Sequence, residues 1–135
     1  MSVRFTNNSV QVKEALHEKG VAWLHEAGGE LEGQVKRNSR IGKGQLKNSW
    51  MYKVDEKDLI CTVGSPLENA IWEEFGTGEY ALHGDGRKGG WIYQDEDGKW
   101  HHTYGKKPHR AFHRAFISLK TPLIRMAQEM FRGLR

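Results

Sequence analysis

Residues 67–80 read LENAIWEEFGTGEY, and the understanding of this stretch decides the fold. Ala70, Ile71, Trp72 and Phe75 recur at helical spacing, with Glu68, Glu73 and Glu74 on the other side. Gly76 follows the last apolar residue and stops the helix, because the position just past a helix end commonly takes a positive φ. Thr77-Gly78 continues as loop. The stretch therefore predicts a short helix that delivers Trp72 and Phe75 to a core, and a loop that leaves it at once.

Working outward, the preceding segment alternates. Ser49–Val54 (SWMYKV) carries Trp50 and Tyr52 at strand spacing, Asp55-Glu56-Lys57-Asp58 is a polar turn, and Leu59–Gly64 (LICTVG) returns. Together they predict an antiparallel hairpin. Before it, KRNSRIGKGQLK (36–47) is basic and uninterrupted by an acid, an exposed loop offering Arg40, Lys43 and Lys47 to a docking partner. It lacks the spacing of a phosphate-binding P-loop. Further upstream a helix is expected from about Ser9 toward Asn38, with the stripe Val12, Leu16, Trp23, Leu24, Ala27, Leu31 and Val35. Asn8 and Gln11 have capping-box spacing. Its glycines weaken it by up to about 1 kcal/mol each, so it should kink or pack closely near Gly28-Gly29. Val3–Thr6 is a short strand candidate.

On the other side, Glu79–Gly90 (EYALHGDGRKGG) is loop-like and carries Arg87 and Lys88 as further docking cations. Residues 90–104 predict a second hairpin turning at Asp97-Gly98, with Trp91, Tyr93, Trp100 and Tyr104 giving an aromatic face. After Pro108 the last helix shows the clearest periodicity: Phe112, Phe116, Leu119, Leu123, Ala127, Met130 or Phe131, and Leu134. That stripe makes Phe112 and Phe116 core residues beside Trp72 and Phe75. Pro122 either kinks this helix or sits in the first turn of a second one capped by Thr121. The expected class is α+β: an antiparallel sheet of two hairpins packed against a long N-terminal helix and a C-terminal helix, in one domain spanning 1–135.

Composition narrows the function. The one cysteine, Cys61, cannot form an internal disulfide or a thiolate metal cage. No apolar run approaches the roughly 18 residues that span a bilayer, and the N-terminus lacks a signal-peptide core, so a cytoplasmic setting and no membrane partner are expected. His109 and His113 share a helix face, but neighbours His101-His102 on a strand point to opposite faces, and no Glu completes a zinc-protease pattern. Nothing fixes Glu73-Glu74 opposite another carboxylate, and Ser49, Ser65 and Ser118 lack a nucleophile elbow. No enzyme, cofactor or metal is expected. Residues 106–135 hold eight Lys/Arg against Glu129 alone; this stretch thus carries +7 of a net +4, and the rest of the chain −3. Such asymmetry suits nucleic acid or subunits that meet through faces of opposite sign. Aromatics interleaved with cations at 91–116 keep a nucleic-acid-binding module open, built on the basic C-terminal helix and the aromatic hairpin.

Four blocks carry a family resemblance: Gly44–Trp50 (GQLKNSW), Ala70–Gly78 (AIWEEFGTG), Gly90-Trp91 through Trp100-His101-His102, and Lys107–Phe112 (KPHRAF) with Ala115. In this order they resemble the tail-completion or head–tail joining (neck) proteins of long-tailed phages and prophages. The chain departs from that pattern where Gly42-Lys43 replaces the usual Asp-Thr, and Ala111-Phe112 the usual Pro-Phe. The resemblance implies a structural virion protein without cofactor, assembled in the host cytoplasm. It implies a ring of six at the neck, meeting head-connector and tail-tube proteins and passing DNA through its lumen. Charge suggests how such a ring would close: Lys106, Lys107, Arg110 and Arg114 of one subunit against the acidic Asp55–Glu79 region of the next, with Asp58, Glu73, Glu74 and Glu79 as acceptors. The glycine-rich loops at 36–47 and 76–90 are expected to order on docking.

Overall fold

One helix spans the molecule. α1 (Ser9–Asn38) runs 30 residues, about 45 Å at 1.5 Å per residue. In this computed structural model, which describes residues 2–42 and 44–133, the chain then forms α2 (Gln45–Ser49), the strands β1 (Met51–Asp55) and β2 (Ile60–Gly64), and α3 (Asn69–Phe75). A single 3-10 turn (Gly78–Tyr80), the strands β3 (Trp91–Gln94) and β4 (Trp100–Thr103), and α4 (Ala111–Arg132) complete it.

The two long helices lie antiparallel. Asn38 Nδ2 at the end of α1 donates to Ala111 O at the start of α4 (3.1 Å), and Trp23 Nε1 donates to Leu123 O (2.9 Å). α4 has 22 residues, roughly 33 Å, so α1 outruns it and its first turns project beyond the body. Val10, Val12 and Leu16 are exposed there. α4 passes through Pro122 as one helix, although proline removes the N–H that would bond the carbonyl four residues back.

The first hairpin lies across α1. Its inward residues alternate, Tyr52 opposite Val63 and Val54 opposite Cys61. This contact explains the mid-helix glycine. A Cβ on Gly28 would stand 2.5 Å from Tyr52 Cδ2 and 2.9 Å from Cys61 Sγ, so the strand can approach only where the side chain is missing. Glu32 Oε1 fixes the register by accepting from Tyr52 N (3.2 Å).

The core gathers Val35, Trp50, Ala70, Ala111 and Ala115, with Leu46 and Phe112 packed on it. Trp50 stacks on Phe112 at 6.2 Å between centroids. Its indole N–H donates to Ser39 Oγ (3.1 Å), which donates to Val35 O (2.7 Å). A buried indole is thereby satisfied by the residue that ends α1.

The α+β class and the bounding helices are as the sequence predicts, but the details differ. The hairpins form two separate two-stranded sheets, because the second is held by backbone bonds to the 76–81 loop rather than by the first. Residues 45–49 are helical, and Lys36–Asn38 belong to α1, so both ends of the basic segment are helix and only its middle is loop. Val3–Thr6 forms no strand. Asn8 makes no side-chain cap; Asn7 Oδ1 accepts from Ser9 N instead (3.0 Å). Within the second hairpin Trp91 pairs with Thr103 and Tyr93 with His101, while Trp100 pairs with Gln94. Trp100 therefore lies on the opposite face from Trp91 and Tyr93, and the aromatics do not share one surface.

Candidate functional site

The start of α4 is where the expected interface residues converge. Arg110 precedes the helix in a left-handed conformation (φ 59°), which turns the chain so that the first free N–H groups of α4 face α3. Glu74 meets them. Its carboxylate accepts from Phe112 N (3.0 Å) and His113 N (2.9 Å), and Arg110 Nε stands 3.5 Å away. Glu74 is only 8% exposed. A buried carboxylate on two helix N-terminal amides satisfies donors that the helix cannot satisfy itself and complements its dipole.

Glu73 extends the clasp. Its side chain pairs with Lys106 Nζ, and Arg40 Nε lies 3.9 Å away. Its backbone oxygen accepts from His109 N (2.7 Å). Arg114 donates to His109 O (3.2 Å) and Asn38 O (3.4 Å), and His109 Nε2 contacts Asn38 O (2.7 Å). Thus α1, α3 and α4 are tied at one end of the molecule. Arg110 also lies over the Phe75 ring (5.9 Å) and Lys107 over Tyr80 (5.6 Å).

This geometry revises the picture of an acidic face on one subunit meeting a basic face on the next. The pairs Glu73–Lys106 and Glu74–Arg110 close within a single chain, because α3 folds directly onto the entry of α4. Glu79 is likewise used internally, accepting from Gly89 N (3.1 Å). Asp58 stays exposed at the tip of the first hairpin, its N–H donating to Asp55 Oδ1 (3.0 Å).

The 76–90 segment is not loose either. Thr77 N donates to Lys106 O (2.9 Å), Glu79 N to Tyr104 O (2.8 Å), and Lys106 N to Thr77 Oγ1 (2.8 Å). A Cβ at Gly78 (φ 60°) would fall 2.2 Å from Tyr104 O; this glycine serves a backbone-to-backbone contact. Of the docking cations, Arg87 lies over Trp91 (5.7 Å), Lys88 and Arg40 are exposed, Lys47 is half-buried, and Lys43 lies outside the described residues.

The core assignments need correction. Phe112 packs on Trp50, but Trp72 is 48% exposed, Phe75 39% and Phe116 42%. The helices turn smaller residues inward, Ala70 with Glu74 on α3 and Ala111, Ala115 and Leu123 on α4. Close helix approach at the core excludes the large rings, and Phe75 and Phe116 border two open apolar depressions instead. One, of about 220 Å³, includes Ile71, Phe75 and Phe112; the other, about 310 Å³, lies between α1 and α4 beside Phe116. Leu134 lies outside the described residues.

Two smaller features complete the chemistry. Asp95 organises the second hairpin's turn, accepting from Lys99 N (2.8 Å), Asp97 N (2.9 Å) and His101 Nε2 (2.6 Å). The His101 bond, then that of Lys99, holds its carboxyl below the usual range. Burial pushes the Cys61 thiol up. Among the described residues no group of three His, Cys, Asp or Glu is placed to hold a metal, and no helix is long and apolar enough to cross a membrane.

The family model for the HK97-gp10-like group, described as a bacteriophage HK97-gp10 tail component, matches residues 4–76, more than half of the chain. The match runs from the N-terminal arm through the short helix and ends at its glycine stop. Searches of curated proteins and of solved structures return no match.

Proposed function

The chain belongs to the HK97-gp10-like family of phage tail components, and from that premise we propose that it joins or completes the tail at the head–tail interface, as a ring of copies at the neck of the virion. The single observation that carries the reading is the family match over 4–76. The role is structural, without cofactor, and the 135 residues act as one domain assembled in the host cytoplasm. The partners are further copies of the chain, six to a ring as the resemblance implies, together with head-connector and tail-tube proteins and the DNA that passes through the lumen.

Two features support an assembly role. Large apolar side chains are left on the surface, Ile92 (65% exposed) and Trp100 (69%) on the second hairpin among them, and exposed apolar surface of this kind marks contact sites. The clasp at the start of α4 meanwhile gives a rigid end, so docking would not require the domain to reorganise. A free nucleic-acid module is less favoured, because Lys106, Arg110 and Arg114 are engaged inside the chain.

The test is deletion of the gene in its phage, with complementation, viewed by electron microscopy. DNA-filled heads beside separate tails support joining, and overlong tails support completion. Intact virions with a defect confined to genome handling refute both and favour the nucleic-acid reading.

A further inference from the structure

We propose that the N-terminal arm of one copy docks on a second copy, seating Val3 and Phe5 in the apolar groove between α1 and α4. The arm (residues 2–8) precedes α1 without helix or strand, and its apolar side chains are uncovered: Val3 is 90% exposed and Phe5 89%. Two residues apart, they fall on one side of an extended segment. The groove is open and holds about 310 Å³, bordered by Trp23, Leu31, Cys61, Phe116, Leu123 and Ile124. A cavity of roughly 150 Å³ already accommodates a benzene ring, so this one has room for a phenyl ring and an aliphatic neighbour.

Chain length assigns the groove to a different copy. Phe5 is four residues from Ser9, where α1 begins, a reach of about 14 Å when fully extended; Val3 reaches about 20 Å. The groove is centred near Ala27 on α1, roughly 27 Å along the helix from Ser9. Neither side chain can fold back to the centre of its own groove. The projecting part of α1 points to the same partner. Val12 (50% exposed) and Leu16 (43%) continue the stripe that Trp23, Leu24 and Ala27 bury farther along, so the face that packs inside the body continues past it uncovered.

Arm and groove are different surfaces, which makes the contact head-to-tail: each copy gives an arm and receives one. Such contacts propagate to a closed ring or an open filament. The inference thus rests on the ring-forming reading and supplies its chemistry, apolar exchange where charge pairing had been expected.

The experiment uses the full chain, followed by sedimentation velocity up to about 100 μM, which registers dissociation constants of that order and tighter. The expected result is species larger than a dimer. Phe5→Asp, or removal of residues 2–8, should weaken association about 100-fold or more, the scale for a Phe and a Val leaving an apolar site. The unfolding midpoint of the monomer should stay unchanged, since the arm is not part of its own fold. As a proximity test, Phe5→Cys should oxidise to a ladder through Cys61, which requires the two Cβ atoms within about 4.5 Å; the ladder should vanish with Cys61→Ser. A monomeric full chain at about 100 μM, oligomers that survive arm removal, a ladder independent of Cys61, or a midpoint that falls with the arm would each overturn the proposal. Complementation separates the two readings. Arm-independent rings that still rescue tails sink the exchange alone, whereas arm-dependent rings without a tail defect sink the head–tail role alone.

Discussion

Replacing Glu74 with glutamine removes a charge while preserving shape, and the clasp geometry fixes what that should cost. The carboxylate is 8% exposed and accepts from Phe112 N at 3.0 Å and His113 N at 2.9 Å. Each bond to a charged acceptor contributes about 1.5–3 kcal/mol. The glutamine oxygen can keep one of them in weaker, neutral form, while its NH2 group faces the other amide. The helix loses a negative charge at its N-terminus, about 0.3–1 kcal/mol, and Arg110, 3.5 Å away, loses its counter-ion. The expected destabilisation is about 2–4 kcal/mol, measured by urea unfolding of purified protein. Glu73→Gln should cost about 1 kcal/mol or less, because its partners Lys106 and Arg40 are 43% and 52% exposed in their side chains. Since both clasps close within one chain, neither loss should vary with protein concentration. A Glu74→Gln loss below about 0.5 kcal/mol, or one that grows on dilution, would refute the internal clasp and return these charges to an intersubunit contact.

Gly28→Ala should destabilise by about 1–2 kcal/mol in the same assay: helix propensity favours alanine by up to about 1 kcal/mol, but the clash with Tyr52 and Cys61 costs more, and a stabilised variant would show that the strand can withdraw. Asp95→Asn should increase amide exchange at Asp97 and Lys99, whose N–H groups the carboxylate now holds. The wild-type turn should respond to pH with a definite sign. Asp95 is held below its ordinary value of 3.8, so its contribution is full above that value and is lost as pH falls through the lower folded one; exchange at these amides that is insensitive to acidification below pH 3.8 would contradict this.

How much of this was legible in the sequence depends on whether local or tertiary forces decide a residue's place. The long helix, both hairpins and the stop at Gly76 (φ 74°) were readable because periodicity and turn chemistry are local signals. The helix at 45–49 was not, since five residues carry too little periodicity to stand out from a basic loop. The core rings were misassigned for a tertiary reason. The stripe through Phe112 and Phe116 does not say that the neighbouring Ala111 and Ala115 turn inward, and only the close approach of α1 selects the alanines. Glycines were ambiguous in the same way. At 76–90 they suggested mobility, whereas Gly78 is required for contact with Tyr104, and composition cannot distinguish the two. The clasp could have been suspected from one signal, the adjacent acids Glu73-Glu74 paired in the chain with the only strongly basic segment after them.

That pairing changes what charge asymmetry says about assembly. Of the eight cations in 106–135, Lys106, Arg110 and Arg114 are bound to Glu73, Glu74, His109 and Asn38 within the chain. The charges of Lys106 and Arg110 are met by carboxylates at short range while Arg114 is held by backbone carbonyls, and at about 0.15 M salt fields beyond roughly 8 Å are screened. The two ion pairs take two from the formal +7 of 106–135 and leave +5, and the charges they remove are the ones beside α3 that were expected to draw a neighbour in. What the fold does leave uncovered is apolar: an arm with Val3 and Phe5 free, a helix face running past its partner, and a groove with Phe116 on its border. An assembly built on those surfaces should be nearly indifferent to salt and should strengthen as apolar burial is favoured, the opposite of a ring closed by ion pairs. Varying ionic strength from about 0.05 to 0.5 M spans enough of the screening range to separate them. A self-association constant that falls steeply over that range would place the contact back on the charges and remove the reason for assigning it to the arm.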